Sequence, residues 1–171
     1  MDETPYEIER KFLIRCPDIR WLAAHAEPSQ ITQTYLLGDE GCTERVRSRT
    51  TAGCTVYTHT VKQRLSAIRR IEIEHEIPRE EYEALLQRAD PEARTIEKTR
   101  WCLRENGFLY EIDVFPFWED RAFLEVELTD ESQPFPWPEQ VALIREVTDD
   151  RRYTNAALAR EIPQEELPKR G

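Results

Sequence analysis

The chain has 171 residues and a formal net charge of −10, with 39% hydrophobic and 34% charged residues. This length suits one domain with a sizeable core, and the acidic charge argues against a nucleic-acid partner, which requires a basic surface. The N-terminal segment MDETPYEIERK has no apolar run, and no stretch approaches the roughly 20 apolar residues of a membrane span, so we expect a cytoplasmic protein with no membrane partner.

Seven short segments along the chain carry charged or polar residues at every second position. Side chains at i and i+2 of a strand point to one face, so each segment predicts a strand with one charged and one largely apolar face. A conventional half-buried strand turns its apolar face inward, but repeated charge over seven segments, with both signs represented among them, favours a charged interior. In chain order, the alternating residues are Glu7, Glu9 and Lys11; Arg45 and Arg47; Thr60 and Lys62; Glu72, Glu74 and Glu76; Lys98 and Arg100; Glu111 and Asp113; Glu125 and Glu127.

Amphipathic helices are predicted between these strands. Apolar residues recur at helical spacing behind three prolines, and a short final helix is predicted near the C-terminus. These helices would cover the apolar faces of the strands. The predicted helices occupy residues 17–27, 78–89, 138–147 and 154–161.

The Asn106-Gly107 turn sets the register of one hairpin. This dipeptide favours a two-residue loop, which places Arg100 opposite Asp113 on the same face as Lys98. A slip by one residue would send one of these sets to the other side of the sheet. The turn therefore predicts that acids and bases share one face.

The Ala52-Gly53 turn predicts the same arrangement in a second hairpin. A two-residue loop pairs Arg45 with Thr60, and Lys62 then lies on the face of Arg45. We therefore expect an α+β fold that is mainly antiparallel β: a closed barrel with a charged lumen, flanked by helices and without free sheet edges.

Charge of both signs on one lumen face is typical of a metal-assisted site for a phosphate-rich anion. Carboxylates hold Mg²⁺ or Mn²⁺, the metal contacts phosphate oxygens, and Arg or Lys neutralises the remaining charge. Two alternatives have no ligand: a lumen of compensating salt bridges, which is costly, and flat strands whose charged faces are solvated. The residues by themselves do not choose the anion.

Nine motifs in order carry a resemblance to a known family. Glu7-Ile-Glu9-Arg-Lys11 resembles the E-x-E-x-K signature of the CYTH domain proteins, also called triphosphate tunnel metalloenzymes. The resemblance implies one CYTH domain over residues 1–163, a polar tail at 164–171 and a closed, eight-stranded antiparallel tunnel. The other motifs are Gln33-Thr-Tyr35-Leu, Arg45-Val-Arg47, Thr60-Val-Lys62, Arg70-Ile-Glu72-Ile-Glu74, Glu97-Lys98-Thr-Arg100, Glu111-Ile-Asp113-Val-Phe115, Leu124-Glu-Val-Glu127 and the closing segment 146–159.

Site residues follow from the resemblance, motif by motif. Lys11 and Tyr35 resemble a lysine–tyrosine pair of the inorganic triphosphatase members, which implies polarisation of a phosphate or leaving oxygen by an ammonium and a phenol. The implied metal ligands are Glu7, Glu9, Glu125 and Glu127, with Asp113 and Glu72 or Glu74 nearby. The implied triphosphate-binding residues are Lys11, Arg45, Arg47, Lys62, Lys98, Arg100 and Arg152.

The resemblance to small bacterial inorganic triphosphatases implies hydrolysis of tripolyphosphate to pyrophosphate and phosphate, with Mg²⁺ or Mn²⁺ as cofactor. Alternatives in the same superfamily are a class IV-type adenylate cyclase and a thiamine or nucleoside triphosphatase. The sequence shows no recognisable pocket for the nucleoside or thiamine group that these substrates carry. A non-catalytic polyphosphate-binding module would have lost the E-x-E pairs, which are intact here. The sequence leaves open the physiological substrate, the preferred metal and number bound, the choice between monomer and homodimer, and whether the last helix plugs the tunnel.

Overall fold

Strands dominate the computed structural model, which describes residues 6–38, 41–66 and 68–169. The side chain of Glu7 lies outside the described part. The described helices are α1 (Ile19–His25), α2 (Arg79–Leu85) and α3 (Asn155–Leu158). The strands are β1 (Tyr6–Arg15), β2 (Glu27–Tyr35), β3 (Cys42–Thr51), β4 (Cys54–Arg64), β5 (Arg69–Ile77), β6 (Ile96–Glu105), β7 (Phe108–Val114), β8 (Arg121–Glu127) and β9 (Leu143–Glu146).

Strand β1 closes the sheet into a barrel. The strand order is β5-β4-β3-β2-β6-β7-β8-β1-β9, and β1 also pairs with β5. On this second edge of β1, residues Tyr6–Ile8 pair with β5, and residues Phe12–Ile14 pair with β9. Within the described residues, β1 to β8 therefore form the predicted closed antiparallel barrel, and β9 is an additional strand.

The register predicted for the β3–β4 hairpin is confirmed. Ala52 and Gly53 have φ of 49° and 79°, the left-handed conformation that a type I′ turn requires. Arg45 lies opposite Thr60 across β3 and β4.

The β6–β7 hairpin has the same geometry, and its predicted register is confirmed as well. Asn106 and Gly107 have φ of 52° and 79°, and Arg100 lies opposite Asp113 across β6 and β7. Since successive side chains of a strand alternate between faces, both hairpins direct their charged residues into the barrel.

The apolar faces of the strands lie on the outside and are covered by helices and a loop. α1 buries Leu22 completely against β1 and β6 to β8, where Phe135 and Trp137 of a later loop also pack. α2 covers the other side of the barrel, where Tyr82 packs against Tyr57 of β4 with tilted rings whose centroids are 4.7 Å apart. The barrel is thus charged inside and apolar outside, with helices over part of its outer surface.

The predicted helix over residues 138–147 is wrong. A turn follows Pro138, and Leu143–Glu146 form β9. The edge of β1 at Phe12–Ile14 lies beyond the reach of β5, and its backbone groups need partners. Pairing with this edge outweighs the short helical pattern. Because the two strands are far apart in the chain, no local signal could reveal the pairing.

The predicted final helix is confirmed but shorter than expected. α3 covers Asn155–Leu158, and the Thr154 side chain caps it by accepting a hydrogen bond from the backbone N–H of Ala157. All four cysteines, Cys16, Cys42, Cys54 and Cys102, are free. None of the described helices is long and apolar enough to cross a membrane.

Candidate active site

The barrel interior is a cavity of about 1170 Å³ whose lining includes nine Lys or Arg and eight Asp or Glu residues. The whole chain carries a net charge of −10, so the cavity is much more basic than the remainder of the protein. The predicted charged lumen is therefore confirmed, and its balance of charge suits an anion accompanied by a cation.

One end of the cavity is closed by an apolar cluster that includes the C-terminal segment. Leu13 and Phe123 lie opposite each other across β1 and β8 with lumen-facing parity, and they pack with the fully buried Tyr153 and Leu158. Residues 147–151 and 153–156 line the cavity beside this cluster. The C-terminal segment therefore plugs this end of the tunnel.

Four carboxylates on neighbouring strands form an acidic cluster in the lining. Glu9 lies opposite Glu127 across β1 and β8, and Glu111 lies opposite Glu125 across β7 and β8. Burial raises the pKa of Glu111, and the neighbouring Glu125 adds to the rise. Like charges directly opposite each other are unfavourable, so this cluster favours a bound cation.

Lining cations balance this acidic cluster. Arg70 Nη2 lies 3.2 Å from Glu9 Oε1, and Arg100 Nη1 lies 2.8 Å from Glu111 Oε2. Burial opposes the charged form of Glu125, but the nearby Lys11 and Arg100 hold its pKa at about 2. The carboxylate of Glu125 is therefore ionised at neutral pH.

Arginines crowd the wall formed by β3. Arg45, Arg47 and Arg49 alternate along this strand, and all three line the cavity. Burial, together with the charges of Arg45 and Arg100, lowers the pKa of Arg47 to about 9. Arg45 Nε is buried without a hydrogen-bond partner among the described residues. Crowded cations and an unmatched donor both favour the entry of an anion.

Lys11 is held at the plugged end of the cavity. Its Nζ donates to the backbone carbonyl of Tyr153 at 2.7 Å, lies 3.6 Å from Glu125 Oε1 and sits 4.0 Å from the centroid of the Phe123 ring. Burial lowers the pKa of Lys11, and Glu125 partly offsets this effect. The ammonium is thus fixed in direction and faces the lumen.

Tyr35 lines the same cavity, and its phenol is held by a neighbour on β2. Gln33 Nε2 donates to Tyr35 Oη at 2.9 Å. Burial raises the pKa of Tyr35, although Arg45 and Arg47 act in the opposite direction. The structure gives no direct hydrogen bond between the described side chains of Lys11 and Tyr35. Both side chains line the same cavity, so a ligand bound there can contact both.

Lys98 and Asp113 form an ion pair that is fully buried behind the lining. Lys98 Nζ donates to Asp113 Oδ2 at 2.8 Å, and Arg100 Nε donates to Asp113 Oδ1 at 2.8 Å. Burial opposes ionisation, but Arg100 and Lys98 lower the pKa of Asp113 well below its usual range. Both carboxylate oxygens of Asp113 are occupied, and Asp113 and Lys98 are absent from the described lining.

Strand β5 and the C-terminal segment hold the remaining predicted residues. Glu72 lies between Arg45 and Lys62, at 3.8 Å and 3.7 Å, and Glu74 accepts a hydrogen bond from Thr60 at 2.6 Å. The exposed Arg152 is paired with Asp150 at 2.7 Å, outside the described lining.

Several lining residues were missed by reasoning from the sequence. Glu111 was predicted on the charged face but was given no site role. Arg49 and Arg70 have the parity of predicted site residues on their own strands, so strict alternation could have found them. Tyr153 could not be found this way, because its contact with the site depends on how distant segments pack. Gln33, which lies behind the lining, has the parity of Tyr35 on β2, so alternation could have found it as well.

The acidic cluster is the part of the lining that fits a metal. Hard divalent cations prefer carboxylate oxygens, and Mg²⁺ needs only one or two of them together with substrate phosphates. Among the described residues, no three His, Cys, Asp or Glu side chains form a preassembled site. The donor set therefore fits a metal that arrives with its phosphate ligand.

Comparison with known proteins identifies the class to which this barrel belongs. The CYTH domain model matches residues 5–153, so the chain belongs to the CYTH domain family. A relative from Acetivibrio thermocellus named inorganic triphosphatase is 34% identical over 156 residues, covering 90% of this chain and 93% of the relative. Another from Nitrosomonas europaea, also named inorganic triphosphatase, is 35% identical over 165 residues, covering 92% and 99%.

Solved structures support the same barrel. A crystal structure of an inorganic triphosphatase has a TM-score of 0.59 at 32% identity, covering 92% of this chain and 96% of that one. A protein from Pyrococcus horikoshii has a TM-score of 0.56 at 19% identity, covering 74% and 80%, and shares the fold alone.

Proposed function

We propose that this chain is an inorganic triphosphatase that hydrolyses tripolyphosphate to pyrophosphate and phosphate with Mg²⁺ or Mn²⁺. The observation that carries the proposal is the acidic cluster facing the arginines of β3 across one cavity. The two relatives named inorganic triphosphatase, each matched over at least 90% of this chain, support the same reaction.

The basic side chains bind and orient the substrate. Arg45, Arg47 and Lys62 line one wall, and Arg100 reaches in from β6. Guanidinium groups suit phosphate oxygens because their planar donors form bidentate hydrogen bonds. Lys98 acts indirectly, by holding Asp113 and therefore Arg100.

The carboxylates hold the cation. Glu9, Glu125 and Glu127 are the proposed ligands, and Glu111 joins them by its position opposite Glu125. When bound, the divalent cation supplies charge neutralisation on the phosphate oxygens. We do not assign a ligand role to Asp113, because Lys98 and Arg100 occupy both of its oxygens.

Lys11 and Tyr35 act on the phosphate at the plugged end. The Lys11 ammonium stabilises negative charge that develops on a phosphate oxygen, and the Tyr35 phenol donates a proton to the leaving oxygen. The plug of Tyr153 and Leu158 limits access of water to this end, which strengthens both interactions.

Phosphate release from tripolyphosphate, ATP and thiamine triphosphate, measured with Mg²⁺ or Mn²⁺, tests the proposal. We expect tripolyphosphate to be hydrolysed in strong preference to the other two compounds. Cyclic AMP formation is measured in parallel, and a preference for ATP with a cyclic product would contradict the proposal. Binding of tripolyphosphate without turnover would indicate a non-catalytic module.

Glu127→Gln tests the role of the acidic cluster. We expect kcat/KM to fall about 100-fold or more, because one proposed metal ligand loses its charge. Glu139→Gln is the matched control, since Glu139 is exposed and outside the described lining. Turnover close to that of the unmodified protein in Glu127→Gln, at limiting metal concentration, would contradict the assignment.

The compartment and the assembly state belong to the same proposal. A cytoplasmic location is consistent with the four free cysteines, which suit a reducing compartment. A monomer or homodimer is expected, and light scattering at the assay concentration distinguishes the two.

A further inference from the structure

Gln33 occupies an unusual place beside the proposed active site. It lies on β2, two residues before Tyr35, and its side chain is fully buried at 0% exposure. It is absent from the described cavity lining, yet it touches two residues that are present there, Arg47 and Tyr35. A buried amide between two site residues controls the direction of their hydrogen bonds.

The contacts of Gln33 determine which way its amide faces. Arg47 Nη2 and Nε donate to Gln33 Oε1 at 2.9 Å and 3.3 Å. A guanidinium has only donors, so the amide oxygen must face Arg47 and the amide nitrogen must face away from it. Gln33 Nε2 then donates to Tyr35 Oη at 2.9 Å.

The direction of the Tyr35 hydrogen follows from this chain of bonds. Tyr35 Oη accepts a hydrogen from Gln33, so its own hydrogen must point elsewhere. Arg45, which also lies against the phenol, carries only donors and cannot accept that hydrogen. The phenolic O–H is therefore directed toward the cavity.

We infer that Gln33 is a positioning residue that makes the Tyr35 phenol a proton donor to the leaving oxygen of the substrate. The inference rests on the proposed function, and it adds a residue that does not touch the substrate. Burial raises the pKa of Tyr35, which keeps the phenol protonated at neutral pH.

The chemical step balances with one water molecule. The water oxygen forms a bond to the terminal phosphorus, and the bond from that phosphorus to its bridging oxygen breaks, leaving its electron pair on the pyrophosphate. The Tyr35 proton moves to this leaving oxygen. The attacking water keeps one hydrogen as the hydroxyl of the new phosphate and releases the other, which restores the phenol through solvent.

Two substitutions at Gln33 separate positioning from packing. Gln33→Glu keeps the size and the acceptor for Arg47 but replaces the donor that faces Tyr35 with an acceptor, which attracts the phenolic hydrogen away from the cavity. Gln33→Met keeps the approximate size and removes both polar contacts. We expect kcat to fall about 10- to 100-fold in Gln33→Glu and less in Gln33→Met, against the 10²- to 10⁴-fold typical of general acid catalysis.

A double-mutant cycle with Tyr35→Phe distinguishes an effect that acts through the phenol from a direct electrostatic effect of the new charge. If Gln33 acts through the phenol, kcat of Tyr35→Phe and of the two double variants will agree within about 3-fold, because coupled residues are not additive. Effects on kcat that persist undiminished in the Tyr35→Phe background would overturn the inference. Gln33→Met decides the cycle if Gln33→Glu does not fold.

Gln30→Glu is the matched control on the same strand. Gln30 is exposed and accepts a hydrogen bond from Thr99 at 3.1 Å, so the same change of charge should leave kcat unaltered. An active parent protein with unchanged kcat in both Gln33 variants overturns the inference and leaves the proposed function standing. A parent protein without triphosphatase activity overturns both.

Discussion

Acidic residues of similar type occupy very different environments within this barrel. Glu125 and Asp113 have the same lumen-facing parity, but Glu125 lines the cavity and Asp113 is sealed behind it with Lys98. Burial separates these roles, because a carboxylate with no exposed surface must be neutralised by its immediate neighbours. Parity determines the face on which a residue lies, and depth along the barrel determines what it can bind.

Asp113→Asn tests whether Asp113 is structural. The change leaves Lys98, which is 2% exposed, without its counter-charge, so we expect the free energy of unfolding to fall by about 3–5 kcal/mol at pH 7. Asp113 has a lowered pKa, so its stabilising effect is present above the pKa of the unfolded chain and is lost as pH falls through the folded pKa.

Urea unfolding measures the effect, with Asp149→Asn as the control because Asp149 is exposed. Stability equal to that of the control, together with loss of metal binding by calorimetry, would instead support the ligand role that the family resemblance implies for Asp113.

The C-terminal segment is the element that joins the plug to the active site. Val147 donates from its backbone to the Lys11 carbonyl at 2.9 Å, and the Lys11 backbone donates to Thr148 Oγ1 at 3.0 Å. With the bond from Lys11 Nζ to the Tyr153 carbonyl, one segment holds Lys11 at three points. β9 makes this possible by pairing with β1 immediately before the segment.

Glu165→Ala tests this anchoring from a distance. Glu165 accepts from Tyr153 Oη at 3.0 Å and from Arg145 at 2.7 Å, and both contacts are partly exposed. We expect stability to fall by only about 1 kcal/mol, with faster amide exchange across residues 147–153. Hydrogen exchange read by mass spectrometry checks this, and the exposed neighbour Glu166→Ala is the control. Equal exchange in both variants would show that Glu165 does not anchor the segment.

At the scale of the whole molecule, the barrel concentrates basic groups inside an acidic protein. The lining contains nearly equal numbers of acids and bases, whereas the chain carries a net charge of −10. Charges gathered in a low-dielectric cavity interact more strongly than the same charges in water. An anion that enters with a cation relieves repulsion on both walls.

Tripolyphosphate together with Ca²⁺ should therefore stabilise the fold. At about 100 times its Kd, a ligand adds about 2.7 kcal/mol, which corresponds to a rise in Tm of about 5–10 °C for a chain of this size. Differential scanning fluorimetry measures the shift, with sodium chloride at equal ionic strength as the control. The same shift in sodium chloride would contradict binding in the lumen.

Local sequence determined the charged face and the hairpin registers, while packing over long distances decided the rest. Period-two alternation and the turns at Ala52-Gly53 and Asn106-Gly107 are properties of a few adjacent residues, so the lumen face could be predicted from them. Only the tertiary structure decided that residues 138–147 complete the edge of β1, that the segment around Tyr153 plugs the tunnel, and that the Lys98–Asp113 pair is buried behind the lining. Each of these depends on contacts between residues far apart in the chain, whose free energy no local pattern encodes.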